Sequence, residues 1–321
     1  MSYWANYKDI QEELTKVENY MKKTVVSRNK ELTNITLNLI EAGGKRLRPA
    51  FVIISAMAGK RYKEDIVIPL AASIELIHTA TLVHDDIIDE ASFRRGRKSV
   101  QHKWGRDMAI YVGDYLLTKS FLVLSEETSF ERINTIAKFI KGICEGEIHQ
   151  YQNRYKLTST YQYLKNIYRK TAILFGMSIG IGAYEGGIKN ASTRRSMINY
   201  GIYYGLAFQI YDDLLDYTSN KSLIGKPVGN DLKHGYYTLP ILYAIEDKKY
   251  GDQIKELLNN QRNLTNQELN NIFELLAKTN AIEQTKELLN KIIKKARESI
   301  KLLRNKKVKP ILEDLITRLE I

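Results

Sequence analysis

Apolar residues recur every three or four positions along most of this chain, which is the spacing of one face of an α-helix. The first such series is Ile10, Leu14, Val17, Met21 and Val25. A second predicted helix starts near Asn34 and stops at Gly43-Gly44, because glycine commonly follows the last turn of a helix. Pro49 is tolerated in the first turn of a third predicted helix, over Ala50 to Ala58.

The same spacing continues to the C-terminal part of the chain. It predicts helices over residues 69–89, 105–125, 131–156, 160–184, 193–217, 238–249, 266–279 and 281–304. None of the five prolines lies between Pro69 and Pro227, and proline is the strongest helix breaker. No linker rich in proline, glycine or serine divides the chain. We therefore predict an all-α fold in which residues 1–321 form a single-domain helical bundle.

Composition places the chain among globular proteins, with 44% apolar and 27% charged residues. The uncharged stretch Thr171 to Tyr184 has 14 residues, whereas a membrane-spanning helix needs about 20. The N-terminus lacks a basic leader followed by an apolar core. The one cysteine, Cys144, cannot form an intrachain disulfide, which favours a reducing compartment. We expect no transmembrane span and a cytoplasmic location.

The net charge of +12 would suit nucleic acid, anionic lipid or a phosphorylated small molecule. Part of the excess lies on the last predicted helix, opposite its apolar face, where a solvated basic surface is the simplest interpretation. Peripheral contact with an acidic membrane surface stays open as the second interpretation. Basic and aromatic residues are not interleaved, so we expect no nucleic-acid partner.

The motif Asp-Asp-x-x-Asp occurs twice, as Asp85-Asp86-Ile87-Ile88-Asp89 and as Asp212-Asp213-Leu214-Leu215-Asp216. On a helix, the first and third aspartates of each motif share one face and repel each other. Carboxylate-rich sites of this kind suit Mg²⁺, which often completes its coordination shell with water and substrate phosphate oxygens. A single acidic motif is often only a solvated helix face, but two copies with apolar centres make coincidence improbable.

Cationic segments accompany these motifs. They are Lys45-Arg46-Leu47-Arg48 between the second and third predicted helices, Arg94 and Arg95 after the first motif, and Lys226 and Lys233 after the second. Arginine binds phosphate oxygens in a two-pronged fashion, and lysine supplies a mobile point charge. Six carboxylates and many cations together indicate metal-bridged binding of diphosphates. We expect the two acidic walls to face one cavity.

These segments resemble the motifs of the trans-polyprenyl diphosphate synthases, in particular the catalytic subunits of hexaprenyl and heptaprenyl synthases. The matching segments are Gly43 to Pro49, Glu75-Leu76-Ile77-His78, Asp85 to Asp89, Arg94-Arg95-Gly96, Lys170-Thr171-Ala172, Phe208 to Asp216 and Gly225 to Leu232. They span residues 40–245 in the order of the family. The resemblance implies an isoprenoid synthase fold, a helical bundle around a deep central cavity.

The resemblance also implies roles for individual residues. The aspartates Asp85, Asp86, Asp89, Asp212, Asp213 and Asp216 would form the metal site, with Asp85, Asp89 and Asp212 as its principal Mg²⁺ ligands. The allylic diphosphate would contact Arg94, Lys170 and Lys226, while Thr171 and Gln209 would line the region where positive charge develops. Isopentenyl diphosphate would be held by Lys45, Arg48, His78 and Arg95.

The implied reaction is ionisation of the allylic diphosphate, attack by isopentenyl diphosphate and loss of a proton. It needs groups that stabilise the leaving diphosphate as its charge grows. No serine, cysteine or histidine nucleophile is required. Without the resemblance, His78 would be interpreted as a hydrogen-bonded core histidine.

Three other functions would each account for part of the sequence. The pair His84-Asp85 could indicate a histidine-aspartate phosphohydrolase, but that function needs more histidine ligands and leaves the second motif unexplained. A class I terpene cyclase has no need of the Lys45 and Arg48 segment for isopentenyl diphosphate. A regulatory subunit without turnover would show degraded aspartates, whereas both motifs are complete here.

Product length in this family depends on side chains just upstream of the first motif. Here Ala80 and Thr81 are small, and Ile77 lies about one turn further away. Burial of each added methylene is favourable by about 0.8 kcal/mol, so steric obstruction sets the limit. We predict a long all-trans product, with a geranylgeranyl or farnesyl synthase as the alternative. The sequence leaves open a homodimer or a heterodimer with a small regulatory subunit.

Overall fold

Helices form nearly all of the regular structure in this computed structural model, which describes residues 3–127, 129–218, 229–259 and 264–321. Within these residues, the only strands are β1, Phe93–Arg94, and β2, Arg97–Lys98, which pair as an antiparallel hairpin. The all-α prediction is therefore confirmed. The chain divides into two compact units, Met1–Lys138 with Met177–Ile198, and Phe139–Gly176 with Asn199–Ile321.

The first unit is built around one apolar helix. Its complete helices are α1 Lys8–Thr24, α2 Lys30–Glu41, α3 Leu47–Met57, α4 Glu64–Ile88, α5 Val100–Trp104 and α6 Arg106–Glu127. Helix α4 packs against α1, α3 and α6, and every residue from Val67 to Ile77 is buried. A helix that is apolar on all sides is expected at the centre of a core. The core helix α4 carries the first aspartate motif at its C-terminal end.

One glycine allows α4 and α6 to pack closely. A Cβ atom on Gly113 would lie 2.2 Å from Nε2 of His84, and this same nitrogen is 3.3 Å from Oδ1 of Asp114. His84 is therefore a packing and pairing residue between the two helices.

Most of the complete helices in the second unit are short. Its complete elements are α8 Thr160–Ile167, a π-helical turn Tyr168–Ala172, α11 Asn230–Lys233, α12 Leu239–Ala244, α13 Gly251–Asn259, α14 Asn266–Leu276, α15 Ala281–Ser299 and α16 Val308–Thr317. Residues of α7 Phe130–Gln152, α9 Ile173–Glu185 and α10 Ala191–Thr218 belong to both units. Helix α15 packs against α12 and α16 through its apolar face.

Several predicted boundaries differ from the structure. Helix α4 starts at Glu64 because acidic residues favour the first turn, and Pro69 is accommodated inside the helix. The predicted helix over 160–184 is interrupted by the π-helical turn. The predicted helix over 238–249 is much shorter, and α5, α13 and α16 were not predicted.

Among the residues that the structure describes, two helices are long and apolar enough, by length and composition, to cross a bilayer. A count of uncharged residues missed them because isolated charged or polar residues interrupt both. In α4, 78% of the apolar window is buried inside the protein, which accounts for its composition, whereas in α6 only 39% is buried. Ile110, Tyr111 and Leu122 of α6 are 44%, 68% and 51% exposed.

Candidate active site

The Gly43-Gly44 turn after α2 accommodates the side chain of an arginine from the hairpin. Gly43 and Gly44 have φ angles of +69° and +137°, which glycine adopts without a steric penalty. Arg95 donates a hydrogen bond to the carbonyl oxygen of Gly43. A Cβ atom on Gly44 would lie 2.8 Å from the guanidinium carbon of Arg95. The two glycines therefore let Arg95 approach the segment that carries Lys45 and Arg48.

The cations of this segment have different surroundings. Arg46 is buried, with ion pairs of 2.9 Å to Glu18 and 2.8 Å to Glu75, and it also donates to the carbonyl oxygen of Ile40. It is thus a structural residue that links α1, α2 and α4. Lys45 is exposed, and its ammonium group lies 5.7 Å from the centre of the Tyr3 ring.

Arg48 and His78 interact directly. Nη1 of Arg48 lies 3.0 Å from Nε2 of His78, a geometry in which a neutral imidazole accepts the hydrogen bond. Burial lowers the pKa of His78 well below its ordinary value, and the nearby arginines, Arg48 first, lower it further. His78 is therefore a neutral acceptor that orients Arg48. The structure brings together the predicted isopentenyl diphosphate residues Arg48 and His78, and it seats Arg95 on the glycine turn next to Lys45.

The three aspartates of the first motif are not equivalent. Asp85 and Asp89 are partly exposed, whereas Asp86 is 4% exposed. Nε and Nη2 of Arg94 lie 2.8 Å and 2.5 Å from Oδ1 of Asp86. Burial raises the pKa of Asp86, and Arg94 partly offsets this effect. The outer aspartates are accessible to solvent, and the middle one anchors the hairpin.

The face of α4 that carries Asp86 borders a cavity of about 270 Å³. The side chains that α4 contributes to it are Thr79, Leu82, Val83 and Asp86, and Arg94 and Arg95 also line it. The predicted product-length residues are Ile77 and Ala80, which are buried, and Thr81, which is partly exposed. Ile77 and Thr81 lie on the other side of the helix. This cavity is therefore distinct from the predicted product pocket, which stays a prediction.

In the second unit, Lys170 and Thr171 lie in the π-helical turn. Such turns are rare and frequently occur at functional sites. Glycines on neighbouring helices make room for it: a Cβ on Gly205 would lie 2.5 Å from Cα of Ala172, and one on Gly146 would lie 2.7 Å from Cβ of Arg169. Nζ of Lys170 donates to Oε2 of Glu147 at 3.1 Å.

A chain of hydrogen bonds joins this turn to the second aspartate motif. Thr171 donates to Oε1 of Gln209 at 2.9 Å, and Nε2 of Gln209 donates to Oδ1 of Asp213 at 2.8 Å. The phenol of Tyr163 donates to Oδ2 of Asp213 at 2.5 Å. Burial, followed by the charge of Asp231, raises the pKa of Asp213 to about 7. Both oxygens of Asp213 therefore have protein donors.

The outer residues of the second motif are again the accessible ones. Asp212 is exposed and Asp216 is partly exposed, whereas Asp213 is 5% exposed. Within the described part of the chain, no three histidine, cysteine or acidic side chains converge as a metal cluster. Two accessible carboxylates in each motif nevertheless fit Mg²⁺, which usually retains several waters and binds through one or two carboxylates plus substrate oxygens. The predicted residue Lys226 lies outside the described residues.

The sequence pattern did not indicate Tyr163, Glu147 or the structural role of Arg46. A signal existed for part of the network, since Gln209 and Asp213 are four residues apart on one helix and such pairs face each other. Tyr163 was not predictable in this way because it belongs to another helix.

Comparison with known proteins identifies the family of this chain. The sequence profile of the family described as Polyprenyl synthetase matches residues 29–276. The chain belongs to this family. It is accordingly an enzyme, a prenyltransferase, as the resemblance implied. The phosphohydrolase and the terpene cyclase are thereby set aside.

Relatives and solved structures agree with this assignment over almost the whole chain. The chain is 35% identical over 316 residues to the heptaprenyl diphosphate synthase component 2 of Geobacillus stearothermophilus, covering 98% of this chain and 97% of the relative. A heptaprenyl diphosphate synthase structure from Staphylococcus aureus has a TM-score of 0.91 at 34% identity and 97% coverage of both chains. A geranylgeranyl pyrophosphate synthase structure from Lactobacillus brevis has a TM-score of 0.92 at 30% identity and 98% coverage of both.

Proposed function

We propose that this prenyltransferase condenses an allylic diphosphate with isopentenyl diphosphate in a Mg²⁺-dependent reaction, and repeats the step to make a long all-trans polyprenyl diphosphate, for example for a quinone side chain. The observation that carries the proposal is the division within each aspartate motif. In both motifs the outer residues are accessible and the middle residue is buried and hydrogen-bonded. Such a division suits a pair of carboxylates that hold a metal ion on a fixed helix face.

The residues of the chain have distinct tasks in this reaction. Asp85, Asp89, Asp212 and Asp216 would hold Mg²⁺, which supplies positive charge to the leaving diphosphate. Arg94, Lys170 and Lys226 hold the allylic diphosphate and stabilise it as its charge grows. The hydroxyl oxygen of Thr171 and the amide oxygen of Gln209 present negative dipoles toward the developing cation.

Isopentenyl diphosphate is held by a separate group of cations. Arg48, oriented by His78, and Arg95, seated on Gly43 and Gly44, provide planar guanidinium groups that suit phosphate oxygens. Lys45 adds an exposed positive charge. After the double bond attacks the allylic cation, the released diphosphate accepts the proton.

Small side chains upstream of the first motif support the long product. Ala80 and Thr81 precede Asp85 by five and four positions, and neither fills space as a tyrosine or phenylalanine would. We propose a chain of roughly six to eight isoprene units, because burial of each methylene is favourable until a side chain obstructs growth. The likeness to both heptaprenyl and geranylgeranyl synthases keeps a shorter product as the second candidate.

The test is incubation of the purified chain with Mg²⁺, farnesyl diphosphate and labelled isopentenyl diphosphate, followed by chromatography of the dephosphorylated products. We expect a long polyprenol, and loss of the product in Asp85→Asn and Asp212→Asn. The matched control is Asp252→Asn, because Asp252 forms only a surface pair with Lys255. Labelled geranylgeraniol as the sole product would refute the long-chain proposal.

Variants of the product-length residues test the pocket directly. Thr81→Phe and Ala80→Tyr should shorten the product, whereas Ala80→Ser should not. Ala80 is 1% exposed, so the folding of Ala80→Tyr is checked by its melting temperature. Unchanged length in a folded Thr81→Phe and Ala80→Tyr pair would contradict the proposed pocket.

We propose that the chain works with a second polypeptide or a second copy in the cytoplasm. The name of the relative from Geobacillus stearothermophilus, component 2, favours a partner subunit. Tyr111 and Leu122 are exposed and lie on one face of α6, since eleven residues make about three turns. This face is the proposed subunit contact. Light scattering of the chain alone, and of Tyr111→Lys, distinguishes self-association from a heteromer, and activity that requires an added subunit would select the heteromer.

A further inference from the structure

Tyr163 stands outside every motif that identified the enzyme, yet it contacts one of those motifs directly. It is 6% exposed, and its hydroxyl lies 2.5 Å from Oδ2 of Asp213, which is itself 5% exposed. A carboxylate removed from water needs donors for its oxygens, since an unsatisfied buried polar group is costly. Tyr163 and Gln209 supply one donor to each oxygen.

The same network connects three segments of the second unit. Tyr163 lies on α8, Thr171 lies in the π-helical turn, and Gln209 and Asp213 lie on α10. Thr171 is hydrogen-bonded to Gln209 and follows Lys170 in the sequence, while Asp213 follows Asp212. The chain of bonds therefore runs from the neighbour of a diphosphate-binding lysine to the neighbour of a metal-binding aspartate.

We propose that Tyr163 is a positioning residue: through Asp213, Gln209 and Thr171 it keeps Lys170 and Asp212 in the mutual arrangement that binds the magnesium–diphosphate group. The inference rests on the proposed function, because it assigns these two residues to the allylic diphosphate. The physical reason is that a charge placed about 1 Å away from its productive position can cost about 100-fold in rate. Groups that orient metal ligands have effects of about 10- to 100-fold when they are removed.

The isosteric change Tyr163→Phe removes only the hydroxyl. It should lower kcat by about 10- to 100-fold and raise the Mg²⁺ concentration needed for half-maximal activity. The KM for isopentenyl diphosphate should change little, because the residues proposed for that substrate belong to the other unit. Calorimetry provides a readout without turnover, with Mg²⁺ and a farnesyl thiodiphosphate whose carbon–sulfur bond does not ionise readily. The affinity of Tyr163→Phe for this thiodiphosphate should be about tenfold lower, or more, than that of the wild type.

Tyr200→Phe is a matched control within the same unit. Tyr200 is buried as well, and its hydroxyl donates at 2.5 Å to the carbonyl oxygen of Leu312 on α16. Both variants lose one buried hydrogen bond and should lower the melting temperature by similar amounts. Only Tyr163→Phe should change the Mg²⁺ requirement and the analogue affinity.

The variant Asp213→Asn completes the test. If Tyr163 acts through Asp213, adding Tyr163→Phe to Asp213→Asn should cause little further loss, so the two effects are not additive. Wild-type synthesis that is abolished in Asp212→Asn establishes the proposed function independently. With that result in hand, Tyr163→Phe kinetics and binding equal to those of Tyr200→Phe would overturn the positioning role alone. Additive losses in the double variant would also overturn it.

Discussion

The buried pair Arg46–Glu75 should be one of the most important polar contacts for the stability of the first unit. Their side chains are 4% and 2% exposed, and the atoms Nη1 and Oε1 are 2.8 Å apart. Glu75→Gln keeps the shape of the side chain and removes its charge. Arg46 then retains Glu18 and the Ile40 carbonyl, but its buried charge is only partly compensated.

The expected cost follows from the burial of both partners. Removing one member of a buried ion pair costs about 3–5 kcal/mol, because the remaining charge stays desolvated. For a unit of 150–250 residues each kcal/mol lowers the melting temperature by about 2–4 °C. We therefore expect the melting temperature of the first unit to be roughly 6–20 °C lower in Glu75→Gln than in the wild type.

Scanning calorimetry and urea titration measure this loss. The surface pair Lys255–Asp252 serves as a control, because an exposed pair is worth at most about 1 kcal/mol and Asp252→Asn should change little. The double variant Arg46→Met with Glu75→Leu should regain much of the lost stability, since no buried charge remains. A loss below about 1 kcal/mol in Glu75→Gln would refute the argument that this charge pair is desolvated.

Three further predictions concern single side chains or glycines. Gly44→Ala should raise the KM for isopentenyl diphosphate by about tenfold, or about 1.4 kcal/mol, because the added Cβ would displace Arg95. The control in steady-state kinetics is Gly96→Ala, which also has a positive φ but has open space around the added Cβ. An equal effect of both substitutions would mean that backbone strain, and not the displacement of Arg95, raises the KM. The pKa of His78 is lowered in the folded state, so the unfolded state binds more protons and stability should fall as the pH drops below about 6.5. Urea titrations at several pH values measure the free energy of unfolding, which should depend less steeply on pH in His78→Gln than in the wild type. An unchanged pH dependence would contradict this. Gly113→Ala should destabilise the packing of α4 on α6 by about 1–3 kcal/mol, and His84→Ala should partly restore it, as measured by melting temperature.

The sequence predicted the long helices and both aspartate motifs because these features are local. Periodic apolar residues indicated α1, and the doubled aspartates marked the ends of α4 and α10. The interruption at Tyr168–Ala172 was not predictable, because a π-helical turn depends on glycines from other helices, Gly146 and Gly205, that leave room for it. Short helices such as α5 and α11 contain too few turns for a periodic signal.

The chemical types of the site were also predictable, but not the orientation of each residue. The sequence pattern predicts that Lys45, Arg46 and Arg48 lie together on a loop between two helices. The structure places Arg48 in the first turn of α3 and buries Arg46 against Glu75, a partner 29 residues away. Likewise, six aspartates of equal standing in the sequence divide into accessible and buried ones. Such a division depends on tertiary neighbours, which are Arg94 for Asp86 and Tyr163 for Asp213.

The two motifs reach this division by different means. The middle residue of the first motif is held by a cation on a short hairpin, whereas that of the second is held by neutral donors on two helices. An arginine partly compensates the charge of Asp86, while the neutral donors of Asp213 leave its charge in a desolvated setting. The first motif is therefore fixed by an ion pair with a partly exposed arginine, and the second by hydrogen bonds from neutral side chains.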